Sequence, residues 1–217
     1  MTKDQMLRDL LSRQSVLPIL TVQTEEIGLR IAESLLAGGL AVMEITLRTA
    51  QGLAAISAIR RRLPQMAIGA GTLVRPEDFD RAATAGAQFA VSPGLDEPLA
   101  EAALKSALPF LPGVQTASEV MAAAGHGFTT LKFYPARAAG GPIVLADFAS
   151  IFPEVVFVPT GKIAPADMPG YLALKNVLAV GGSWVTPADK VAAQDWSGIT
   201  ELARRVAHMR TPETTGQ

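Results

Sequence analysis

The chain has 217 residues, of which 49% are apolar and 18% charged, the proportions of a globular protein with a full hydrophobic core. Acidic and basic residues nearly cancel at a net charge of −1, which argues against a nucleic-acid-binding surface. The absence of cysteine excludes disulfide bonds and thiolate metal sites. Residues 1–5 are polar, and no uncharged apolar stretch reaches the roughly 18 residues of a membrane span. We therefore expect a cytoplasmic protein without a membrane segment.

Apolar, strand-like runs alternate with helical patterns along the chain, after an amphipathic helix predicted at residues 3–14. Eight strands are predicted, at 16–22, 40–46, 67–71, 88–92, 109–111, 129–134, 155–159 and 177–180. The helices that follow them are predicted at 24–37, 50–63, from Pro76 onward, 97–107, 117–124, 142–151, 165–172 and 197–210.

Near-continuous apolar strands separated by helices indicate a parallel sheet covered by helices. Eight such units in about 200 residues predict a single-domain (β/α)8 TIM barrel with an N-terminal helix, spanning residues 1–217. A doubly wound open sheet is the alternative. Residues 211–217 are expected to form a frayed tail.

One of the six lysines, Lys132, lies in the middle of a strand, flanked on both sides by apolar residues. A buried ammonium group is costly unless it is paired or loses its proton, and a neutral lysine amine is a nucleophile toward carbonyl groups. An edge strand whose lysine reaches water is the alternative interpretation.

Glu44 is the acidic counterpart of Lys132, because it alone among the acidic residues lies deep inside an apolar strand. Alternate side chains of a strand share one face, so Glu44 and Lys132 can face one interior. Such a pair is either a structural salt bridge or a catalytic acid–base and nucleophile, and the desolvation cost favours the catalytic interpretation.

Glycine-rich strand ends after the seventh and eighth strands are typical of the phosphate site of these barrels. They comprise Gly161, Gly181, Gly182 and the hydroxyl of Ser183. Tight βα turns are the alternative explanation of the glycines. The two histidines, His126 and His208, are far apart and lack ligand spacing, so no metal site is expected.

Six motifs, in this order and spacing, resemble those of the 2-keto-3-deoxy-6-phosphogluconate (KDPG) aldolases, a family that includes 4-hydroxy-2-oxoglutarate (KHG) aldolases. They are Glu44–Thr49, Gly69–Thr72, Ser92–Gly94, Leu131–Ala136, Pro159–Gly161 and Gly181–Trp184. The resemblance covers nearly the whole chain. It implies a (β/α)8 barrel, a homotrimer and a class I lyase of the Entner–Doudoroff pathway. Such an enzyme cleaves KDPG, a phosphorylated keto acid, to pyruvate and D-glyceraldehyde 3-phosphate, with no metal or other cofactor.

The resemblance also implies roles for eleven of the motif residues. Lys132 forms the Schiff base, and Glu44 is the general acid and base. The residues implied to bind substrate are Arg48 and Thr72 at the pyruvate carboxylate, Pro93 and Tyr134 at the pyruvyl pocket, and Thr160, Gly161, Gly181, Gly182 and Ser183 at the phosphate.

One position departs from the family, which commonly has a second glycine after Pro-Thr-Gly where this chain has Lys162. Lys162 either donates its ammonium group to the phosphate or points into solvent, and the sequence slightly favours solvent.

Three rival functions remain open. The same chemistry could act on 4-hydroxy-2-oxoglutarate or on 2-keto-3-deoxy-6-phosphogalactonate. The chain could instead be a phosphate-binding barrel isomerase or synthase, in which Lys132 anchors an anion without a Schiff base. A metabolite-binding barrel without catalysis is the third, although paired Glu and Lys side chains are a costly choice for it.

Overall fold

The computed structural model describes residues 1–207 and 209, and in it strands and helices alternate as the sequence predicts. The strands are β1 (Val16–Leu20), β2 (Val42–Thr46), β3 (Ala67–Gly71), β4 (Phe89–Val91), β5 (Phe110–Leu111), β6 (Gly113–Val114), β7 (Thr130–Phe133), β8 (Val156–Pro159) and β9 (Val180–Gly182). The α-helices are α1 (Lys3–Leu11), α2 (Glu25–Ala37), α3 (Gly52–Arg62), α4 (Glu77–Ala85), α5 (Glu97–Lys105), α6 (Ala117–Gly125), α7 (Gly141–Ile151), α8 (Met168–Leu172), α9 (Ala188–Ala192) and α10 (Trp196–Val206).

All paired strands are parallel and form two sheets, one in the order β5-β4-β3-β2-β1-β9 and the other in the order β6-β7-β8. Two isolated parallel bridges, Phe157–Val177 and Thr160–Gly181, join β8 to the segment that contains β9. The prediction of an α/β chain with a parallel sheet covered by helices is therefore confirmed.

Side-chain caps begin several of the helices that follow strands. Thr24, Asp96 and Thr116 each accept a hydrogen bond from the backbone N–H three residues later, which satisfies one of the free donors of the first turn. The residue at which each of these helices begins is in this way determined by the local sequence.

Two apolar clusters form the core. The larger lies between the sheets and the outer helices. The smaller is enclosed by the inner faces of the strands and includes Leu17, Val42, Ala67, Phe89, Val91, Leu111 and Val158. Helix α1 closes the amino ends of these strands, because its Leu7 and Leu11 belong to the smaller cluster.

Polar contacts fix α1 in this position. Asp4 accepts hydrogen bonds from the backbone N–H groups of Thr129 and Thr130, and Arg8 donates to the hydroxyls of both threonines. Because the amino ends of the strands are closed, the carboxyl ends are left for ligand binding.

Several boundaries differ from prediction. Helix α1 ends at Leu11 rather than residue 14, because Gln14 bonds the backbone of Val16 and Val42 with its side chain. The predicted strand at 109–111 corresponds to β5, whereas β6, which follows beyond Pro112, and α9 were not predicted. The last helix ends at Val206 instead of residue 210, and the predicted frayed tail at 211–217 lies outside the described residues.

Gly69 gives a test of the inner packing. A Cβ atom at Gly69 would overlap the ring of Phe89, which is fully buried. We expect Gly69→Ala to lower the free energy of unfolding by about 1–3 kcal/mol through overpacking, measured by urea unfolding. Gly170→Ala in α8 is the matched control, since nothing lies within 4 Å of its added Cβ. Equal stability of the two variants would contradict the packing described here.

Within the described residues, no helix is both long and apolar enough to cross a membrane.

Candidate active site

Lys132 on β7 and Glu44 on β2 meet on the inner side of the two sheets. The Lys132 Nζ lies 3.5 Å from Glu44 Oε1, and the side chains are only 8% and 1% exposed. The two residues come from different sheets and are 88 positions apart in the sequence. The fold therefore brings together the two charged side chains that the sequence places inside apolar strands.

Strand alternation accounts for this meeting, as predicted. On β2, Met43 and Ile45 pack into the outer cluster, whereas Val42 belongs to the inner one and Glu44 lies on the same face as Val42. On β7, Leu131 and Phe133 likewise pack outward, which leaves Lys132 facing inward.

Glycine at position 71 makes room for the carboxylate. A Cβ atom at Gly71 would overlap the side chain of Glu44. Both carboxylate oxygens of Glu44 are buried, and neither accepts a hydrogen bond from any described residue. A buried carboxylate in this state can accept a proton or bond a ligand hydroxyl without first breaking a hydrogen bond within the protein.

Tyr134 completes the surroundings of the lysine. The Nζ of Lys132 lies 5.6 Å from the centroid of the Tyr134 ring, within the range of a cation–π contact. Tyr134 also lines the adjoining cavity, so it is in contact with both the surroundings of the amine and the cavity.

A cavity of about 700 Å³ opens at the carboxyl ends of β1, β2, β8 and β9. Seven of the predicted site residues line it: Arg48, Tyr134, Thr160, Gly161, Gly181, Gly182 and Ser183. Among the described residues that line this cavity, none is Asp or Glu. Its lining therefore suits an anionic ligand.

The other four predicted site residues, Lys132, Glu44, Thr72 and Pro93, are not among the lining residues of this cavity. Thr72 follows β3 and has a positive φ of 65°, which is uncommon for a threonine. The carbonyl of Pro93 packs against Gly113, which pairs in register with Lys132. Pro93 is thus placed beside β6, the strand that pairs with β7, although the cavity does not include it.

The glycines at the ends of β8 and β9 permit close packing. A Cβ atom at Gly181 would overlap the hydroxyl of Thr160, and Gly161 has a φ of 117°, a conformation that favours glycine. Gly161 is therefore favoured by its backbone conformation and Gly181 by the side chain that packs on it, and both line the cavity.

Lys162 follows Gly161 and has a φ of 52°, which lies in the left-handed region that residues other than glycine rarely adopt. It is exposed and lines the cavity. The sequence slightly favoured a Lys162 side chain in solvent. The side chain is indeed exposed, but it also forms part of the cavity wall.

The sequence analysis missed several lining residues. The hydroxyl of Thr21, just after β1, lies 2.8 Å from that of Thr46, and its place at a strand end could have identified it. The indole Nε1 of Trp184 is buried without a hydrogen-bond partner among the described residues. The apolar part of the wall combines residues of α2 and α9, such as Ile27 and Val191, which no sequence motif links.

His126 contacts a carboxylate away from this cavity, with Nε2 3.1 Å from Glu97 Oε2, and His208 lies outside the described residues. The described residues hold no group of three or more His, Asp or Glu side chains placed to bind a metal ion.

Comparisons with known proteins agree in both sequence and structure. The family model described as KDPG and KHG aldolase matches residues 7–202. The chain is 45% identical to a KHG/KDPG aldolase of Escherichia coli strain K12, over 90% of this chain and 92% of that protein. It is 44% identical to a 2-dehydro-3-deoxy-phosphogluconate aldolase of Pseudomonas aeruginosa, over 90% of both chains.

Among solved structures, a KDPG aldolase from Legionella pneumophila has a TM-score of 0.90 and 39% identity, covering 95% of this chain and 98% of its own. That structure holds pyruvate captured at low pH as a covalent carbinolamine intermediate.

Proposed function

Because the chain belongs to the KDPG and KHG aldolase family, we propose that it is a class I aldolase that cleaves KDPG to pyruvate and D-glyceraldehyde 3-phosphate. The observation that supports this most strongly is the buried pair of Lys132 and Glu44, whose nitrogen and oxygen atoms lie 3.5 Å apart. A nucleophilic amine with a carboxylate beside it is the arrangement that Schiff-base chemistry requires.

In the proposed reaction, the neutral amine of Lys132 adds to the C2 ketone to give a carbinolamine, which loses water to form the Schiff base. Glu44 takes the proton of the C4 hydroxyl, the C3–C4 bond breaks, and its electron pair moves to the iminium to form an enamine. After the aldehyde leaves, Glu44 returns a proton to the enamine carbon. Water then hydrolyses the Schiff base and releases pyruvate. The carboxylate oxygens of Glu44 accept no hydrogen bond from a described residue, which supports their use in these proton transfers.

The remaining site residues are proposed to orient the substrate. Arg48 and Thr72 hold the pyruvate carboxylate, with charge-assisted hydrogen bonds from Arg48. Pro93 and Tyr134 shape the pyruvyl pocket beside Lys132. The phosphate is seated by the strand ends of β8 and β9, through Thr160, Gly161, Gly181, Gly182 and Ser183.

The experiment that tests this function compares the release of pyruvate from KDPG, from its C4 epimer 2-keto-3-deoxy-6-phosphogalactonate and from 4-hydroxy-2-oxoglutarate. Lactate dehydrogenase and NADH report the product. We expect KDPG to have the highest kcat/KM. A higher value for either competitor would replace KDPG as the substrate without changing the proposed chemistry.

Cleavage of 4-hydroxy-2-oxoglutarate is the second candidate function, because the matching family and the E. coli relative both carry the KHG name. Its C1–C5 skeleton presents the same ketone and C4 hydroxyl to Lys132 and Glu44. The cavity lining, which has no acidic side chain among its described residues, suits its second carboxylate as well as a phosphate.

We further infer that the two sheets form one closed (β/α)8 barrel over a single domain. In support, only Pro112 separates β5 from β6, and its carbonyl accepts the N–H of Lys132 at 2.8 Å. On the other side, the bridges at Thr160–Gly181 and Phe157–Val177 connect β8 to the β9 segment, and β9 pairs with β1. A crystal structure tests this closure directly.

A homotrimer is proposed from the resemblance, supported by large apolar side chains exposed on helices α6 and α7, Met121 at 64%, Ile143 at 76% and Ile151 at 60%. Light scattering should give three times the chain mass of 22.7 kDa. A cytoplasmic location remains a prediction from the sequence.

The strained loop after β8 gives a further prediction. Lys162→Gly removes the cost of a side chain at φ 52° but adds chain entropy to the unfolded state. Because these effects oppose each other, we expect the free energy of unfolding to change by less than about 1 kcal/mol in urea unfolding. The variant should still form its covalent adduct with pyruvate. Loss of that adduct would contradict this prediction, because it would make the loop part of the pyruvyl pocket.

A further inference from the structure

The proposed mechanism assigns no role to Lys162, although this lysine lines the cavity. We propose that Lys162 is a specificity-determining residue, whose ammonium group binds the phosphate of the substrate. The inference rests on the proposed aldolase function, since it concerns which substrate the same cavity accepts.

The backbone at Lys162 is the first observation. Lysine stands at a φ of 52°, where glycine would fold without a steric cost. Unfavourable backbone conformations that persist at the wall of a ligand cavity are commonly tied to function. The conformation also fixes where the side chain leaves the loop, directly after Gly161, whose main chain lines the cavity.

Charge is the second observation. The cavity is lined by two cationic side chains, Arg48 and Lys162, and by no Asp or Glu among the described residues. Lys162 forms no ion pair within the described part of the chain, whereas Lys190 and Lys105 each pair with a carboxylate. A KDPG molecule carries a carboxylate and a phosphate. Since Arg48 is assigned to the carboxylate, Lys162 is the remaining cation of the lining that can pair with the phosphate held at the strand ends of β8 and β9.

The third observation is an unsatisfied donor on the neighbouring strand end. Trp184 lines the same cavity, and its indole Nε1 is buried with no acceptor among the described residues. It packs against Gly182, where a Cβ atom would come within 2.5 Å of it. The bridge between Thr160 and Gly181 places this strand end beside the loop of Lys162. A group with several acceptor oxygens, such as a phosphate, satisfies both donors.

Lys162→Met tests the proposal, because methionine keeps the Cβ atom and the backbone strain and removes only the charge. Steady-state kinetics are measured on KDPG and on 2-keto-3-deoxygluconate, the same substrate without the phosphate. We expect KM for KDPG to rise about tenfold with kcat within about twofold, and kcat/KM for 2-keto-3-deoxygluconate to stay unchanged. Lys162→Arg should restore KM for KDPG to within about threefold.

Arg137→Met is the matched control. Arg137 is an exposed cation on the next loop, and its backbone N–H donates to the carbonyl of Gly161 at 3.4 Å, yet it does not line the cavity. Its removal should leave KM for KDPG within about twofold. If KM for KDPG rose equally in Arg137→Met, any nearby positive charge would have the same effect as Lys162. That result would overturn the proposal of a specific contact between Lys162 and the phosphate.

Two other results would also overturn it: an unchanged KM for KDPG in Lys162→Met, or an equal loss of activity on both substrates. The wild-type chain separates this failure from that of the proposed function. If wild type forms an adduct with pyruvate and Lys162→Met keeps its KM for KDPG, only the role of Lys162 is wrong. If wild type forms no adduct, the aldolase function itself is wrong.

Discussion

Lys132→Met is expected to abolish aldol cleavage, with a loss in kcat of more than about 10³-fold, because the amine that forms the Schiff base is gone and no other group can replace it. Lys132 is buried within β7, 3.5 Å from Glu44 and beside the ring of Tyr134. Residual release of pyruvate from KDPG is measured with lactate dehydrogenase at high enzyme concentration.

The same substitution leaves Glu44 as an unpaired carboxylate that is 1% exposed. Removing one partner of a buried ion pair costs about 3 kcal/mol or more, so the single variant should be less stable in urea unfolding. The double variant Lys132→Met with Glu44→Gln removes both charges and should recover part of that loss.

Lys132→Arg separates folding from chemistry, since arginine keeps a cation opposite Glu44 but offers no nucleophilic amine. It should be folded by circular dichroism and as inactive as Lys132→Met. Substantial turnover by either variant would contradict covalent catalysis at this position.

Glu44→Gln is expected to have the second largest effect, a loss of about 10²–10⁴-fold in kcat, because glutamine keeps the shape of the side chain but cannot transfer protons. The carboxylate is the one buried acid beside Lys132 in the described part of the chain, and its oxygens have no protein donor. Glu44→Gln should still bind pyruvate and form the adduct that is trapped, but it should form this adduct more slowly than wild type.

Exchange of the pyruvate methyl protons in D₂O, followed by NMR, isolates the step at the enamine carbon. We expect Glu44→Gln to lose this exchange while still giving a trapped adduct. The matched control is Glu97→Gln, which removes an exposed carboxylate paired with His126 and should exchange at the wild-type rate. Unchanged turnover in Glu44→Gln would remove this residue from the mechanism.

The sequence was sufficient to predict the buried charges at Glu44 and Lys132, because a charge inside an apolar strand stands out from its neighbours. It also predicted the alternation that turns both side chains inward. The sequence did not predict the distance between the two side chains. That distance depends on how the sheet that contains β2 lies relative to the sheet that contains β7.

Other features could not be predicted because they arise from tertiary contacts. Pro112 lacks an N–H, so the strand around it divides into β5 and β6, which pair with different neighbours. Helix α1 ends early because the side chain of Gln14 bonds the backbone of the first two strands. The positive φ of Lys162 likewise follows from the turn after Gly161, since lysine itself does not favour that conformation.

The apolar wall of the cavity could not be predicted from the sequence either. Ile27 on α2 and Val191 on α9 line the same cavity because α10 packs on both α2 and the short helix α9. A five-residue helix such as α9 has too few turns to leave an amphipathic pattern in the sequence.

The central claim is that Lys132 is the nucleophile, and trapping with borohydride tests it most directly. The wild-type protein is incubated with pyruvate and sodium borohydride, and the intact chain and its peptides are then analysed by mass spectrometry. We predict one reduced pyruvyl adduct per chain, on Lys132, and none on Lys162, the other lysine at the site. An unmodified folded protein, or an adduct on any other lysine, would contradict the account. In that case a phosphate-binding isomerase or synthase, with Lys132 as an anion anchor, would become the better interpretation.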